Sequence, residues 1–568
     1  MNMSIQAPEV FDIEKASSPT TTDCYCWDGT VLTVHNHAHI EITGTVSNGR
    51  RIAVEANASA HVAFGDVSIS GLGLEQSPLL LKSGTNLTLT LKPGTTNTLT
   101  AGQNSAGIQA PESTALTING EGTLIATGGA NAAGIGGGFN IIAGDITISG
   151  GTIIAQGSDN WSPGIGGGGS YGRVGTLIIN GGMVTALGGP EFHGIGGGFR
   201  APGGNILITD GKLDAIGGIN SAGIANNQGT ITISGGFVDA YGGPYGAGIG
   251  GGIGASGGVI IIRGGTVSAV GGDFGAGIGG GGDNGDYTGS GGTIAITGGT
   301  IAAIGGDRAA GIGGGNRGDG GHITIEGGAI TALGGSDCPG IGSGFSADGG
   351  IININAGTVT ASGGVRGPGI GNGFQSTGST IAINGGTVRA SGGRSGAGIG
   401  GGQLIPESCI TITNGIIKAV GGEGGLGIGG DEAIFTSAVA INGNAVVSAK
   451  GSGDLVNNRD IGAQKGLWFT ANPQDITVTA GSSACLKASV TATPANKEAP
   501  LHTYQWYACE TRSNVDGRPI QGAIGSTFTT PNTLAPGDYY YFCEVQIHEI
   551  AARSAVAHVV VKPSSSPA

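Results

Sequence analysis

The chain has 568 residues, of which 125 are glycine, and its formal net charge is −14 with only 11% charged residues. Glycine does not recur at every third residue, which excludes collagen, and the regular Ile, Val and Thr between the glycines argue against a disordered low-complexity chain. The electrostatic footprint of a phosphate-binding protein is missing, so we expect no nucleic-acid partner.

Residues 1–27 are predicted to form an N-terminal extension. Residues 1–18 lack the basic-then-apolar order of a signal peptide, and no segment of the chain has the roughly 18 consecutive apolar residues that span a bilayer. Because so polar a chain resembles extracellular scaffolds, we expect a secreted or cell-surface protein with no membrane span, whose signal peptide has been removed.

Residues 28–125 alternate apolar and polar residues without a glycine-rich phrase, as at Leu87–Leu91. This pattern predicts an N-terminal cap and divergent coils, since the open edge of a stacked sheet must be covered. His35, His37 and His39 alternate here and are predicted to share one face of a strand. They are weak candidates for a zinc or copper site, because an exposed edge strand explains them as well.

Residues 126–462 repeat one phrase, Gly-Ile-Gly-Gly, most often at 29-residue intervals, as between Ile341 and Ile370. A fixed period of this size predicts a solenoid in which each repeat buries its apolar face against its neighbours. The isoleucines of the phrase, which begins shortly before this region, are Ile108, Ile135, Ile165, Ile195, Ile224, Ile249, Ile278, Ile312, Ile341, Ile370, Ile399 and Ile428.

One repeat, residues 144–168, predicts three strands per turn. Ile146 and Ile148 share one face of the first strand, Ile153 points inward from the second, and Ile165 points inward from the third. Turns stacked at about 4.8 Å form parallel β-sheets around a column of Ile, Val and Ala. The predicted fold class is therefore all-β: a three-sheet parallel β-helix followed by a β-sandwich.

The sequence Gly-Gly-Thr-Ile-Ala-Ile-Thr-Gly-Gly-Thr-Ile-Ala-Ala-Ile-Gly-Gly at residues 291–306 resembles bacterial secreted right-handed parallel β-helices of the pectate-lyase-like superfamily, especially their non-catalytic carbohydrate-binding members. The resemblance covers residues 30–462 and implies a polysaccharide ligand. In those relatives the third strand carries aspartates that can hold calcium. Here it reads Gly-Ile-Gly-Gly-Gly, so we expect no repeated calcium site and no cofactor.

Residues 467–563 follow as a domain that resembles an immunoglobulin-like sandwich. Cys485, Trp506 and Cys543 stand in the order typical of that fold, and Tyr541 occupies the place of its tyrosine corner. The resemblance implies a disulfide between Cys485 and Cys543, and hence an oxidising compartment. The chain has 7 cysteines, so the pairing of the others stays open.

Side chains that vary at fixed positions beside the glycine phrase form two predicted columns. The first lies three residues before the first glycine and comprises Asn131, Trp161, Glu191, Asn220, Tyr245, Phe274, Arg308, Asp337, Arg366 and Ser395. The second lies just after the phrase and includes Phe139, Tyr171, Phe199, Arg200, Asp283, Asp286, Tyr287, Arg317, Asp319, Phe345 and Phe374. We expect these columns to be the walls of a groove with an open floor of glycines.

Such a groove suits a polysaccharide or another glycan, because aromatic rings stack on sugar C–H groups while polar side chains hold hydroxyls. A simpler explanation, that the aromatic residues only cover the turns, stays open. Trp161, Tyr245 and Phe274 are expected to contribute most. The full set of predicted ligand-binding residues is Trp161, Tyr171, Arg200, Tyr245, Phe274, Tyr287, Arg308 and Asp337.

The alternative function is a polysaccharide-active glycoside hydrolase, transglycosidase or lyase on the same face. A glycosidase needs two carboxyls roughly 5–9.5 Å apart, and a lyase needs a base beside a cation. An insertion places Asp283 and Asp286 in one loop, although a short loop of this composition is commonly an ordinary turn. Glu191 beside His193 is the other catalytic candidate. His193 falls in an inward column, where a buried structural histidine is the simpler interpretation.

A further column of apolar residues is predicted to point outward. Either the chain bends and buries them, or they form an apolar stripe through which the protein self-associates. The residues are Leu187, Ile216, Tyr241, Val270, Ile304 and Leu333.

Overall fold

A computed structural model describes the chain from residue 8 to residue 563, except residues 159–160, 199–203, 226–228, 284, 286, 403–407, 430–437, 442–444, 451–464, 494–502, 515–516 and 548–549. Arg200 and Asp286 therefore lie outside the described residues. The described residues form strands and turns, and among them no helix is long and apolar enough to cross a membrane.

The larger part of the molecule is a parallel β-solenoid of about 14 turns, which confirms the predicted fold class. Each regular turn contributes one strand to each of three stacks, so the prediction of three strands per turn is confirmed as well. Residues about one period apart are hydrogen-bonded neighbours. Ile294 pairs with Ile323, and Ile312 pairs with Ile341.

In each turn a short bend separates the first strand from the second, and the first stack contains the strands that precede this bend. Its members are Glu9–Asp12, His39–Val46, Ser59–Ile69, Asn86–Leu91, Ala115–Gly120, Asp145–Ile148, Thr176–Leu187, Asn205–Ile216, Thr230–Ile233, Val259–Ile262, Thr293–Ile296, His322–Ile325, Ile351–Ile354, Thr380–Ile383, Cys409–Ile412, Ala438–Ile441 and Lys465–Ala471.

The second stack follows the bend. Four long strands, His39–Val46, Ser59–Ile69, Thr176–Leu187 and Asn205–Ile216, pass through the bend and belong to both stacks. The other members are Thr96–Thr100, Thr123–Thr127, Thr152–Gln156, Phe237–Tyr241, Thr266–Val270, Thr300–Ile304, Ala329–Leu333, Thr358–Ser362, Thr387–Ser391, Ile416–Val420 and Val446–Lys450.

The third stack is built on the glycine phrase. Its members are Val31–Val34, Arg51–Val54, Leu79–Leu81, Ile108–Gln109, Ile135–Phe139, Ile165–Gly168, Ile195–Gly196, Ile224–Ala225, Ile249–Gly250, Ile278–Gly279, Ile312–Gly313, Ile341–Gly342, Ile370–Asn372, Ile399–Gly401 and Ile428–Gly429.

The core is a continuous column of inward-facing Ile, Leu, Val and Ala from all three stacks. Ile296, Ala303 and Ile312 illustrate it, since all three are fully buried in one turn. Burial of an isoleucine side chain contributes roughly 1.5–3 kcal/mol, so the aliphatic column is the main source of stability.

The N-terminal residues cover the first turns. Thr20–Thr21 and Tyr25–Trp27 form an antiparallel hairpin, and Tyr25–Trp27 pairs with Val31–Val34. Trp27 is 1% exposed and its ring lies 5.4 Å from that of Phe11. Residues 9–27, predicted to be an extension, thus pack on the solenoid as part of its cap. The domain boundaries themselves stay a prediction.

The C-terminal residues form a mixed sheet, in which Ile476–Thr479 is parallel to Ala557–Lys562, and a two-stranded antiparallel sheet. A second core lies around Trp506. Lys465–Ala471 joins this region to the solenoid, because it pairs in parallel with Ala438–Ile441 and antiparallel with Ser489–Thr493. The immunoglobulin-like assignment stays a prediction. The other strands are Ile476–Thr479, Cys485–Lys487, Thr503–Cys509, Arg518–Pro519, Thr527–Thr529, Gly537–Ile547, Ile550–Arg553 and Ala557–Lys562.

Two expectations for this region are wrong. Cys485 and Cys543 are both free thiols. In its strand Leu486 faces the core and Cys485 is exposed, because neighbouring residues point to opposite faces, while Cys543 is buried. The tyrosine that bonds back to the backbone a few residues upstream is Tyr539 and not Tyr541: the Tyr539 hydroxyl donates to the Ala535 carbonyl at 3.0 Å.

In nine turns of the third stack, the glycine that follows the isoleucine has a backbone conformation that only glycine adopts readily. At Gly313 φ is 131°, and a Cβ there would overlap the carbonyl oxygen of Gly342 in the next turn. The glycine phrase is therefore a structural requirement of close stacking.

Gly313→Ala is expected to lower the free energy of unfolding by more than about 3 kcal/mol, since the strained φ and the steric overlap both act on the folded state. Urea denaturation followed by circular dichroism measures the effect. Gly73→Ala is the control, because its nearest neighbour would be Gln76 Oε1 at 3.5 Å. Equal losses for the two variants would contradict this account.

Candidate functional site

The first predicted column lies at one corner of the solenoid, four positions before the isoleucine of each third-stack strand. These isoleucines pair in unbroken register from Ile249 to Ile370. The preceding corner residues therefore recur at about 4.8 Å per turn. We call the side chains at this corner the arginine–aromatic strip, which comprises Tyr245, Phe274, Arg308, Asp337, Phe345, Arg366 and Phe374.

The two predicted walls form one surface. The Phe345 N–H donates to the Arg308 carbonyl at 3.2 Å, and the Phe374 N–H donates to the Asp337 carbonyl at 2.7 Å. The residue after the phrase in one turn is thereby held against the residue before the phrase in the preceding turn. Loops fold back over the intervening glycines, which are buried, so the prediction of an open glycine floor is wrong.

Arginine and aromatic side chains contact one another along the strip. The Arg308 Cζ lies 4.9 Å from the Phe345 ring centroid, and the Arg366 Cζ lies 4.0 Å from that of Phe374. The Phe345 and Phe374 rings are stacked with centroids 5.9 Å apart. Phe345 is half-buried and Phe374 is buried, and a cation–π contact contributes roughly 0.5–1 kcal/mol or more as it becomes desolvated. These contacts restrain the side chains before any ligand arrives.

Tyr245 and Phe274 continue the strip towards the N-terminus. Their ring centroids are 5.0 Å apart, and both residues are half-buried. Gly282 in the next turn donates its N–H to the Tyr245 carbonyl at 2.7 Å. Its missing side chain leaves the space that the Phe274 side chain occupies. The glycine thus allows two rings to lie side by side at the surface.

Asp337 anchors the strip and does not face outward as predicted. Its carboxylate is 6% exposed and accepts two hydrogen bonds of 2.7 Å from Arg366 Nε and Nη2. The hydrogen bond to Asp337 raises the pKa of the Arg366 guanidinium. Arg366, which is 40% exposed, is therefore the residue of this pair that a ligand can reach.

A double-mutant cycle with Asp337→Asn and Arg366→Gln should give a coupling energy of about 1–2 kcal/mol in urea denaturation, because the carboxylate is desolvated and bonded at two atoms. The same cycle on Arg394 and Glu423 serves as the control. That pair is 3.1 Å apart with both side chains at least 70% exposed, so its coupling should stay below about 0.5 kcal/mol. Equal couplings would show that Asp337 is not the anchor.

The other predicted ligand-binding residues are more scattered. Trp161 occupies the same corner three turns before Tyr245, is 39% exposed and has φ of 76°. Tyr171 and Tyr287 are 62% and 69% exposed and lie in loops after the phrase. The Tyr171 N–H donates to Asn140 Oδ1 at 3.3 Å.

Of the predicted catalytic carboxylates, Asp283 and Glu191 lie apart, and Asp286 is outside the described residues. Asp283 Oδ1 accepts the Gly285 N–H at 2.6 Å, and Oδ2 lies 3.1 Å from Arg317 Nη1. Asp283 therefore holds its own loop, as an ordinary turn residue does. Glu191 belongs to a turn three positions away in the stack, about 14 Å along the axis, which exceeds the separation of glycosidase carboxyls.

His193 is a buried structural histidine, as the inward column suggested. It is 5% exposed, and its Nδ1 accepts the Ala222 N–H at 3.1 Å. Burial lowers the pKa of its imidazole to about 4. The ring is therefore neutral at physiological pH and serves as a hydrogen-bond acceptor between two turns.

The pKa of His193 predicts a loss of stability in acid. The unfolded chain, with an ordinary pKa of 6.5, binds more protons than the folded chain between pH 6.5 and about 4, so the unfolding free energy falls across this window as pH decreases. The loss should approach about 3 kcal/mol. Urea denaturation at several pH values measures it against His193→Asn, whose amide oxygen can accept the same N–H. Parallel pH profiles for both proteins would refute the assignment.

The three alternating histidines do not share a strand. His35 and His37 lie in a turn, with φ of 61° at His37, and the next strand begins at His39. The His39 ring instead stacks on His61 with centroids 5.0 Å apart. Within the described ranges, no group of three or more His, Cys, Asp or Glu is arranged to hold a metal ion.

The apolar stripe lies on the second stack and is partly exposed. Ile216 pairs with Tyr241, and Ile304 with Leu333, at exposures of 38–42%. The bend therefore does not bury these residues completely. Self-association through the stripe stays a prediction.

The structure also contains a polar cleft that the sequence did not indicate. It lies where the loop that follows each third-stack strand leads into the next first-stack strand. It has a volume of about 520 Å³. Its walls come from five consecutive turns, and each turn contributes only two to four residues. The polar side chains that line it are Thr85, Asn86, Glu112, Ser113, Thr114, Asp145, Arg173, Thr176 and Asn205.

Family models match two parts of the chain. Residues 28–167 match a model described as a carbohydrate-binding domain-containing protein. A model of the beta helix repeat matches residues 177–199, 231–253, 260–282, 294–316, 323–345, 352–374 and 381–403. The chain is thus a β-solenoid that contains beta helix repeats and a region similar to carbohydrate-binding proteins. Membership of the pectate-lyase-like superfamily stays a prediction.

Solved structures resemble only part of the chain. The PKD domain of human KIAA0319 is 22% identical over 21% of this chain and 98% of its own, with a TM-score of 0.15. The immunoglobulin domains 1–4 of Sidekick-1 are 19% identical over 21% of this chain and 28% of their own, with a TM-score of 0.14. At these scores the likenesses support no conclusion. No curated protein matches the chain.

Proposed function

We propose that the protein binds a polysaccharide through the arginine–aromatic strip. The observation that carries the proposal is the succession of aromatic rings and guanidinium groups at one corner of consecutive turns. Ring faces stack on sugar C–H groups, and guanidinium N–H groups donate to hydroxyls. The match of residues 28–167 to a carbohydrate-binding model supports the same class of ligand.

A polymer suits this arrangement better than a single sugar. From Tyr245 to Arg366 the strip crosses four turn spacings, about 19 Å, so a chain lying along the axis meets several weak contacts at once. The restraint by cation–π contacts and by Asp337 lowers the conformational entropy lost on binding. Several modest contacts then add to a useful affinity.

Trp161 would extend the same binding surface. It is a bulky residue in the left-handed region of backbone conformation, which costs of order 1–3 kcal/mol and is found preferentially at functional sites. A secreted or cell-surface protein that holds polysaccharide, with the C-terminal domain as a spacer, is the biological setting that we infer.

The test is a triple variant, Trp161→Ala, Tyr245→Ala and Phe274→Ala, examined by affinity electrophoresis in gels that contain cellulose derivatives, xylan, mannan or pectin. The retardation of the wild-type chain should fall at least tenfold, because the stacking surfaces are lost.

Phe237→Ala is the matched control, since Phe237 is 62% exposed but lies on the second stack outside the strip. It should migrate like the wild type. Equal retardation of the triple variant and the wild type would remove the strip as a binding surface.

A further inference from the structure

We propose that the polar cleft binds a segment of a neutral polysaccharide that runs along the solenoid axis. This inference rests on the proposed glycan-binding function and adds to it a second site with its own class of ligand. The cleft lies in the turns between residues 84 and 205, whereas the pair of rings at Tyr245 and Phe274 begins in a later turn. Trp161 belongs to a turn of the cleft but is not among the residues that line it. The two surfaces can therefore be altered separately.

The length and volume of the cleft fit an oligosaccharide. Its floor includes Asn86, Ala115, Asp145, Thr176 and Asn205, which are neighbours in continuous register at the start of successive first-stack strands. Five turns extend over about 19 Å. The volume of about 520 Å³ lies within the roughly 300–1,000 Å³ of small-molecule sites, and a polymer can continue past both ends.

Large and small side chains alternate along this floor. Asn86, Asp145 and Asn205 are exposed, whereas Ala115 and Thr176 between them are shorter and partly buried. Amide or carboxylate groups thus recur at every second turn, about 9.6 Å apart, with space between them. An extended polysaccharide in which alternate rings are turned over also repeats every second sugar. Equivalent hydroxyls would therefore meet equivalent side chains.

An exposed ion pair at the rim supplies further hydrogen-bonding groups. Arg173 Nη2 lies 3.0 Å from Glu112 Oε1, and the side chains are 45% and 58% exposed. The pair joins two turns that are separated by one intervening turn, and it leaves guanidinium N–H groups and a carboxylate oxygen at the cleft. Both donors and acceptors are thus available, as sugar hydroxyls require.

The charge of the cleft favours neutral sugars over uronic acids. Its charged lining residues are Glu112, Asp145 and Arg173, so the two carboxylates exceed the one cation and the net formal charge is −1. A polyuronate would bring further carboxylates against Asp145, which like-charge repulsion disfavours. None of the described residues that line the cleft is aromatic, so recognition here depends on hydroxyls.

The experiment uses isothermal titration of the full chain with hexasaccharides of β-1,4-linked glucose, mannose and xylose, and with hexagalacturonate as the anionic probe. Ala115→Trp fills the space between Asn86 and Asp145 on the floor, and Asn86→Ala with Asn205→Ala removes two exposed amides without touching the core. Thr117→Trp is the matched control, because Thr117 lies on the same strand and outside the cleft.

The wild type should bind at least one neutral hexasaccharide more tightly than hexagalacturonate. In the triple strip variant, which lacks the stacking rings, Ala115→Trp should weaken that binding at least tenfold and the double alanine variant at least threefold, while Thr117→Trp should leave it unchanged. Unchanged affinity in both cleft variants, tighter binding of the uronate, or no binding of any probe would overturn the inference.

The outcome also separates the two proposals. If the strip variant loses polysaccharide retardation and the cleft variants do not lose hexasaccharide binding, the strip stands and the cleft fails. If the cleft variants lose hexasaccharide binding while the strip variant retains full retardation, the cleft stands and the strip fails. Thermal unfolding monitored by circular dichroism confirms that each variant is folded.

Discussion

The architecture depends on the close approach of glycine backbones in the third stack. At Gly313 a side chain would overlap the carbonyl of Gly342 in the next turn, and the loop after each phrase folds over the same glycines. This contact fixes the register of the turns. Register in turn places Tyr245 beside Phe274 and Arg308 beside Phe345, although each pair is about 30 residues or more apart in the chain. The arginine–aromatic strip is thus a consequence of how tightly the backbone stacks.

The periodic features of the chain could be predicted because they follow from local rules. The 29-residue spacing predicts the stacked turns, and the alternation in Thr293–Ile296 predicts which side chains face the core. Neighbouring residues of a strand point to opposite faces. Because Leu486 points inward, Cys485 points outward, and the predicted disulfide fails. Motif order alone does not reveal on which face a cysteine lies.

The features that were missed depend on contacts between turns. A run of glycines is compatible with an open floor or with a buried one, and only the returning loops decide between them. In the sequence Asp337 likewise resembles a ligand-binding carboxylate. In the structure both of its carboxylate oxygens accept hydrogen bonds from Arg366 of the next turn. The polar cleft combines short contributions from five turns, none of which is unusual in sequence.

The strand Lys465–Ala471 belongs to the solenoid and to the C-terminal domain at once, through its pairing with Ala438–Ile441 and Ser489–Thr493. A pulling force applied at the C-terminus would therefore be transmitted through a ladder of backbone hydrogen bonds. In a protein held at one end and attached to a polymer along its side, this strand would carry the mechanical load.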